Sequence, residues 1–135
     1  MIEGQRSKVN VQCSTFNVQC SMSNVLIALG SNYLQSAHIQ WASQRLSVLL
    51  TDVAMSRILW TPDIHGRGQW YMNRLVRGKT TLSPTQLIEQ LKQTEQLTGR
   101  TKQHVTIDLD LMQYETERYH LSDWERPYIQ QLLDF

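Results

Sequence analysis

The sequence predicts an α+β fold in which an antiparallel sheet carries packed helices and a short C-terminal helix. The length, 135 residues, suits one domain. The composition, 41% apolar and 19% charged residues, is typical of a globular protein. Short apolar runs alternate along the chain with segments whose apolar residues recur at helical spacing. These three observations together favour a single mixed domain.

The first predicted strand is Val25–Leu29, a wholly apolar run that the turn Gly30-Ser31-Asn32 closes. Since every residue of the run is apolar, we expect this strand at the centre of the sheet. An amphipathic helix follows, because apolar residues recur there at helical spacing with polar residues between them. The apolar positions of this helix are Ile39, Ala42, Leu46, Leu49 and Leu50.

The middle of the chain predicts two further strands, Val53–Trp60 and Trp70–Thr80. Breaker residues separate them, among them Pro62 and Gly68, so the connection is predicted to be a loop. A second helix is expected to begin at Ser83-Pro84-Thr85-Gln86, which combines a capping serine, a proline at the first helical position and a glutamine three residues after the cap. Its buried stripe is Leu87, Ile88 and Leu91, and Gly99 is the predicted C-terminal cap.

The last predicted strand is Val105–Met112, in which apolar Ile107, Leu109 and Leu111 alternate with polar residues. A short terminal helix is expected over Asp123–Leu133. The order of elements is then strand, helix, strand, strand, helix, strand, which is the ferredoxin-like βαββαβ arrangement with one added helix. Because this fold hosts enzymes, RNA-binding domains and regulatory modules alike, it does not determine the function.

Residues 1–22 form a segment that differs from the rest of the chain. They contain both cysteines, Cys13 and Cys20, and the five residues Asn10–Ser14 recur as Asn17–Ser21. A metal or redox pair is one interpretation, but neither cysteine has a partner at zinc-site spacing. We therefore predict a flexible leader over residues 1–22 and a single domain over residues 23–135.

The charge balance excludes several classes of partner. Thirteen basic and twelve acidic residues give a formal charge of +1, so no global field attracts nucleic acid or anionic lipid. The longest apolar stretch, Val25–Leu29, is far shorter than the ~20 residues of a membrane span. With no export signal recognised, the predicted location is the cytoplasm.

Asp108 and Asp110 are the most specific chemical feature of the sequence. Residues two apart on a strand point to the same face, so the two carboxylates stand side by side while Leu109 enters the core. Two acids this close repel each other unless a cation lies between them, and carboxylate oxygens suit Mg²⁺. The alternative at this point is a solvated strand face with incidental charges.

Three more polar or aromatic residues stand out. Glu95 follows Leu91 by four residues, so it lies on or beside the buried stripe of the second helix, where an acid needs a partner. Tyr71 and Asn73 share one face of a strand. An aromatic plane beside an amide suits a flat heterocycle with hydrogen-bonding edges. The alternatives are a rim position for Glu95, paired with Lys92 or Arg100, and a core position for Tyr71.

Six short motifs follow one another over Val25–Met112. They are Val25–Asn32, Trp60-Thr61-Pro62, Tyr71-Met72-Asn73, Leu82-Ser83-Pro84, Glu95-x-x-x-Gly99-Arg100 and Ile107–Leu111. In this order they resemble the 6-hydroxymethyl-7,8-dihydropterin pyrophosphokinase family of folate biosynthesis. The resemblance implies a transferase that moves the terminal pyrophosphate of ATP onto the hydroxymethyl group of the dihydropterin and releases AMP.

The resemblance also implies roles for the matching residues on the ATP side. Asp108 and Asp110 would hold two Mg²⁺ ions that bridge the ATP phosphates, and Asp110 would receive the proton of the substrate hydroxyl. Arg100 would approach the phosphates as a catalytic group, with Lys102 beside it. The remaining implied nucleotide contacts are Glu95 on the nucleotide side of the cleft and Leu111 against adenine.

On the pterin side, the resemblance implies that Tyr71 stacks on the ring and that Asn73 bonds its amide-like edge. Thr61 and Pro62 would line the pocket through backbone groups. The implied partners are therefore the pterin and ATP, with Mg²⁺ as cofactor and with neither nucleic acid nor membrane. The expected state is a monomer.

The sequence departs from the family between Arg100 and Asp108. Seven residues stand there in place of a longer loop with several arginines and a tryptophan, and Val105 occupies the position of an arginine. Lys102, His104 and Arg126 are the side chains that offer partial replacement. Two alternatives to the enzyme stay open for this reason: a non-catalytic pterin- or nucleotide-binding relative of the same fold, and a ferredoxin-like interaction module.

Overall fold

A computed structural model describes residues 21–63 and 68–135. The predicted leader, with Cys13 and Cys20, falls almost entirely outside these residues, so its interpretation stays a prediction. The predicted α+β class with an antiparallel sheet is confirmed. Within the described part of the chain, every helix is too short or too polar to cross a membrane.

The described residues form six strands and four helices. In chain order they are β1 (Ser23–Ser31), α1 (Gln35–Leu49), β2 (Thr51–Met55), β3 (Leu59–Pro62), β4 (Trp70–Thr80), α2 (Pro84–Gln96), β5 (Asp108–Tyr114), β6 (Glu117–Arg118), α3 (Leu121–Trp124) and α4 (Pro127–Leu132). The strand order in the sheet is β2-β4-β1-β5-β6, and β3 pairs with β4 beside β2. All pairings are antiparallel, and β1 lies at the centre as predicted.

Alternation along β1 separates two cores. Val25, Ile27 and Leu29 point to the face that α1 and α2 cover, and they pack there with buried residues of both helices. Leu26 points to the other face, where the short helices α3 and α4 contribute Trp124, Ile129 and Leu132. The C-terminal helices therefore cover only one part of the second face, at the end where β1 begins.

The start of α2 follows the prediction closely. The Ser83 hydroxyl accepts a hydrogen bond from the backbone N–H of Gln86, and the Gln86 side chain accepts one from the Ser83 N–H. This reciprocal capping box satisfies two of the N–H groups that a helix start leaves unpaired. The predicted cap at Gly99 is wrong in position, because the helix ends at Gln96 and Gly99, with φ of 72°, lies in the turn that follows.

The prediction of one strand over Val53–Trp60 is also wrong. The chain forms β2 and β3 with a break at Ser56–Ile58, and both pieces pair with the same strand, β4. Ser56 makes the break stable because its hydroxyl accepts a hydrogen bond from the Leu75 N–H at 2.8 Å, while the Ser56 N–H donates to the Leu75 carbonyl at 2.8 Å.

We expect Ser56→Ala to destabilise the protein by about 1–2 kcal/mol, because the Leu75 N–H, which is buried, loses its acceptor. Urea denaturation measures this loss, and the exposed Ser36 provides the matched control Ser36→Ala, which should change little. A Ser56→Ala variant as stable as the parent would contradict the assigned role.

Two corrections concern the C-terminal part. The last predicted strand begins later, at Asp108 rather than Val105, and runs on to Tyr114. Val105 instead pairs with Asn32 through its backbone N–H and carbonyl. The predicted terminal helix is divided into α3 and α4, because Pro127 lacks an N–H and begins a new helix instead of continuing the first.

Candidate functional site

Strand register aligns the candidate pterin residues with the candidate metal residues. Gly30 of β1 pairs with Asn73 of β4 on one side and with Asp108 of β5 on the other. Two residues along the same strand, Ala28 pairs with Asp110. Because directly paired residues of an antiparallel sheet point to the same face, Asn73 and both aspartates share one face. This is the face opposite α1 and α2.

The neighbouring strand β3 fixes Asn73 in place. Asn73 is 5% exposed, and its Nδ2 donates hydrogen bonds to the Leu59 carbonyl at 3.0 Å and to the Thr61 hydroxyl at 2.9 Å. These bonds turn the amide oxygen of Asn73 toward Gly30. Thr61 pairs with Tyr71, so the structure brings three of the four candidate pterin residues together on one face. Pro62, the next residue, is exposed, and by alternation its side chain points to the other face.

Gly30 lies directly beside this group. A Cβ atom at this position would lie 3.5 Å from Tyr71 Cδ1 and 3.7 Å from Asn73 Oδ1, which is ordinary van der Waals contact. The glycine therefore lets the Tyr71 ring and the Asn73 amide oxygen lie close to β1, and a side chain larger than alanine would have to displace them. Sequence reasoning assigned Gly30 only to a turn, and the signal for its second role is visible only once the strand register is known.

Three carboxylates form an acid cluster, made of Glu95, Asp108 and Asp110. One carboxylate oxygen of each lies within 4.8 Å of the others. Glu95 comes from α2 and is 5% exposed, and its Oε2 accepts a hydrogen bond from the Leu109 N–H at 2.6 Å. The predicted position of Glu95 beside the buried stripe thus corresponds to a carboxylate that reaches across to β5.

Two acids of the cluster, Glu95 and Asp110, resist ionisation. Burial is the main cause that raises the pKa of Glu95 to about 7, and the charge of Asp108 adds to it. Burial likewise raises the pKa of Asp110 to about 6, again with a contribution from Asp108, against the opposing effect of His120. Both shifts arise because negative charge is gathered where water is scarce.

The donor set fits a hard divalent cation. It consists of carboxylate oxygens alone, two of them on adjacent same-face positions of a strand, which is the chemistry that Mg²⁺ prefers. The side chains of Asp108 and Asp110 keep 38% and 26% exposure, so the cluster is open toward solvent and toward a substrate. A bound cation would also relieve the repulsion that raises the two pKa values.

Arg100 is the cation that the structure brings to this cluster. Its Nη1 lies 3.2 Å from Asp108 Oδ1 and 3.5 Å from Glu95 Oε1. In this position the guanidinium balances part of the acidic charge, as the alternative interpretation of Glu95 expected. Lys102 lies two residues further along, exposed on a turn, and makes no ion pair with the residues that the structure describes.

Leu111 is not brought to the cluster. It is 2% exposed and packs in the core under α1 and α2, on the opposite face from Asp108 and Asp110. Alternation along β5 explains this, since odd and even positions point to opposite faces. The side chain implied to contact adenine is therefore buried, and we leave Leu111 out of the proposed nucleotide contacts.

Sequence reasoning missed residues that the C-terminal segment adds. His120, with φ of 55°, precedes α3, and its Nε2 lies 3.8 Å from Asp110 Oδ1. Arg126, which the sequence offered as a partial replacement for the missing basic residues, pairs through Nε with Asp123 at 2.9 Å. Burial and the charge of Asp123 raise the pKa of Tyr128 to about 12, with smaller effects of both aspartates of the cluster. Only the path of the chain after β6 brings His120 and Tyr128 near the cluster: Trp124 of α3 donates from Nε1 to the Met112 carbonyl of β5 at 3.2 Å, and α4 packs on β3 and β4. Spacing in the sequence therefore gave no signal for them.

The raised acid pKa values predict a stability that depends on pH and on Mg²⁺. For Glu95 the pKa rises from 4.5 to about 7 on folding, so the folded state holds its proton more tightly than the unfolded state. That contribution to stability is present below pH 4.5 and is lost as the pH rises through 7. For Asp110 the pKa rises from 3.8 to about 6, so its contribution to stability is present below pH 3.8 and is lost as the pH rises through about 6.

We therefore expect the ionisation of Glu95 alone to lower the unfolding free energy of the metal-free protein by about 3–4 kcal/mol between acidic and mildly alkaline pH, since one pKa unit corresponds to about 1.4 kcal/mol. Glu95→Gln should reduce this loss, and the exposed Glu89 on the same helix provides the control Glu89→Gln. Mg²⁺ should stabilise the protein above neutral pH and have little effect in acid. Urea titrations at several pH values check both points, and a flat profile would contradict the assignment.

One comparison with known proteins gives a match. The family model described as 7,8-dihydro-6-hydroxymethylpterin-pyrophosphokinase matches residues 26–134, which is most of the chain. No curated protein matches the chain in the corresponding search.

Proposed function

Because the chain belongs to the 7,8-dihydro-6-hydroxymethylpterin-pyrophosphokinase family, a transferase family of folate biosynthesis, we propose that it carries out this transfer itself, with Mg²⁺, from ATP to 6-hydroxymethyl-7,8-dihydropterin. One observation carries the proposal. The row Asn73–Gly30–Asp108 puts the candidate pterin residues and the acid cluster on the same sheet face. The two substrates of a pyrophosphoryl transfer would then bind side by side.

The pterin would lie over β1 near Gly30, against Tyr71 and Asn73. There Tyr71 offers a ring for stacking and the Asn73 amide oxygen, held by its own bonds to β3, accepts a hydrogen bond from a ring N–H. The Thr61 hydroxyl already supports Asn73, and backbone groups of Thr61 and Pro62 form the rim. Because Asn73 is oriented before the ligand arrives, binding spends little free energy on ordering it.

The acid cluster would hold the metal and, through it, the phosphates. Asp108 and Asp110 would be the ligands of two Mg²⁺ ions, and Glu95 would border the nucleotide side of the cluster. Bound Mg²⁺ neutralises phosphate charge and orients the transferring group. Without a bound cation, Arg100 pairs with Asp108 and Glu95. Once Mg²⁺ neutralises those acids, the Arg100 guanidinium would be free to contact phosphate, and Lys102 would supply a second positive charge.

In the proposed reaction the pterin hydroxyl oxygen attacks the β-phosphorus of ATP, and the bond from that phosphorus to the oxygen bridging to the α-phosphorus breaks. AMP leaves with the bridging oxygen. Asp110 would receive the hydroxyl proton, as the family resemblance implies, and burial raises its pKa to about 6, which suits a proton acceptor near neutral pH. His120, whose Nε2 lies 3.8 Å from Asp110 Oδ1, borders this carboxylate on its exposed side.

The test is to incubate the protein with ATP, Mg²⁺ and the dihydropterin, and to measure AMP and the diphosphorylated pterin. We expect equal amounts of the two products, and none without a divalent cation. Pterin binding without AMP would favour the non-catalytic relative. If neither pterin nor ATP raised the melting temperature, the interaction module would remain. An ATP-consuming step of this kind would take place in the cytoplasm, which we propose as the location.

We expect Tyr71→Ala to weaken pterin binding by about 10-fold, because the ring loses its stacking surface. Tyr71→Phe keeps the aromatic plane and should bind almost as tightly as the parent. Pterin fluorescence titration measures both affinities, and equal affinity of Tyr71→Ala and the parent would remove Tyr71 from the pocket.

A further inference from the structure

The connection between α2 and β5, residues 101–107, is fixed to the turn after β1; we refer to it as the strap. The Asn32 N–H donates to the Val105 carbonyl at 2.9 Å, and the Val105 N–H donates to Asn32 Oδ1 at 2.7 Å. Next to this pair, the rings of Tyr33 and His104 stack with their centroids 3.9 Å apart and their planes 18° apart. Asn32 and Val105 are both buried, so the attachment is sheltered from water.

Further hydrogen bonds hold the strap at both of its ends. The Thr101 N–H donates to the His104 carbonyl at 3.1 Å, and the His104 N–H donates to the Thr101 hydroxyl at 3.0 Å, which closes a tight turn. The hydroxyls of Thr98 and Thr106 lie 2.5 Å apart, which ties the end of α2 to the start of β5. With seven residues held at this many points, the strap has no slack with which to cover the acid cluster.

The acid cluster is partly exposed to solvent, as expected if the strap does not cover it. The carboxylates of Asp108 and Asp110 keep 38% and 26% side-chain exposure, and the Arg100 side chain keeps 38%. Closure that expels water is what prevents the hydrolysis of activated groups in transferases. Here the segment that follows Arg100 is a strap held to the turn after β1, so water would have access to the β-phosphorus of an ATP bound at the acid cluster.

We infer that this protein has a second activity, the hydrolysis of ATP to AMP and pyrophosphate when the pterin slot is empty, an inference that rests on the proposed function. A water oxygen attacks the β-phosphorus, and the bond between that phosphorus and the oxygen bridging to the α-phosphorus breaks. AMP leaves with the bridging oxygen. One proton of the water passes to Asp110 and then to solvent. The products are AMP and pyrophosphate, and the oxygen of water is retained in pyrophosphate.

The experiment follows AMP, pyrophosphate and diphosphorylated pterin in parallel reactions with ATP and Mg²⁺, with and without the dihydropterin. We expect AMP without the pterin at more than about a hundredth of the rate with it, matched by free pyrophosphate. In water enriched in heavy oxygen, the label should appear in pyrophosphate and not in AMP. A pterin-independent rate below that level, or label in AMP, overturns the inference.

Variants exclude a contaminating hydrolase. Asp110→Asn and Asp108→Asn should both lose the pterin-independent reaction, and circular dichroism checks that each is folded. Asp52→Asn is the matched control, since Asp52 is exposed on β2 and pairs with Lys79 away from the cluster. Hydrolysis that persists in both cluster variants overturns the inference. The proposed function fails separately: diphosphorylated pterin without hydrolysis refutes only the second activity, and hydrolysis without diphosphorylated pterin refutes only the first.

Discussion

Replacing Asp110 by asparagine is expected to lower the rate of AMP formation with pterin by about 10³-fold or more. The substitution removes a carboxylate ligand from the acid cluster and the group that would take the hydroxyl proton. General base catalysis alone contributes about 10²–10⁴-fold, and loss of charge stabilisation at the phosphates adds to that. Because asparagine has nearly the same shape, the packing beside Ala28 and His120 should persist.

The stability of the variant separates this effect from unfolding. Burial raises the pKa of Asp110, so in the metal-free protein the ionised carboxylate costs free energy above about pH 6. Asp110→Asn should therefore be as stable as the parent, or more stable, at neutral pH without Mg²⁺. The stabilisation that Mg²⁺ gives to the parent should be lost in the variant. Thermal melts with and without Mg²⁺ measure both effects.

Steady-state kinetics complete this test. The affinity for the pterin, measured by fluorescence, should change little in Asp110→Asn, because Tyr71 and Asn73 lie on β4 and keep their contacts. The decrease in the rate of AMP formation should appear as a lower kcat. Asp52→Asn serves again as the control with an exposed acid. If Asp110→Asn kept more than about a tenth of the parent activity, Asp110 would be neither a necessary ligand nor the proton acceptor.

The parts of the fold that local sequence signals determine were predicted well. The continuous apolar run of β1 indicated a central strand, and the reciprocal cap of Ser83 and Gln86 fixed the start of α2. The break at Ser56–Ile58 was not predictable, because Val53–Trp60 contains no glycine or proline that would signal an interruption. The cause of the break is a tertiary hydrogen bond: the Leu75 N–H donates to the Ser56 hydroxyl instead of to a backbone carbonyl of the neighbouring strand. The sequence pattern of a single strand does not indicate such a bond.

The same division holds for the candidate site. The alternation of side chains along β5 correctly predicted that Asp108 and Asp110 lie on one face of the sheet and that Leu111 lies on the other. The resemblance implied that the Leu111 side chain contacts adenine, whereas the alternation put this side chain in the core. Leu111 is buried under the helices, which agrees with the alternation. His120 was missed because its approach to Asp110 depends on the path of the chain after β6, which no local signal records.

Gly30→Val is expected to abolish pterin binding while leaving the acid cluster intact. Gly30 lies between Asn73 and Asp108 in the same row, and a Cβ there already touches Tyr71 Cδ1 at 3.5 Å and Asn73 Oδ1 at 3.7 Å. The two methyl groups of valine would extend beyond this contact distance and displace the Tyr71 ring and the Asn73 amide, which the pterin would need in place. We expect the pterin affinity to fall by on the order of 100-fold or more.

Gly30→Ala provides the graded control. Its methyl group meets both neighbours at ordinary van der Waals distance, so the fold should tolerate it and the pterin affinity should fall far less than in Gly30→Val. Since β1 is extended and paired on both sides, a β-branched residue suits the strand and Gly30→Val should remain folded. Mg²⁺ stabilisation, which depends on the acids alone, should be the same in all three proteins. Pterin titration and thermal melts decide the matter: a Gly30→Val variant that binds pterin normally would mean that the ring lies elsewhere, because no pose over β1 avoids the added side chain.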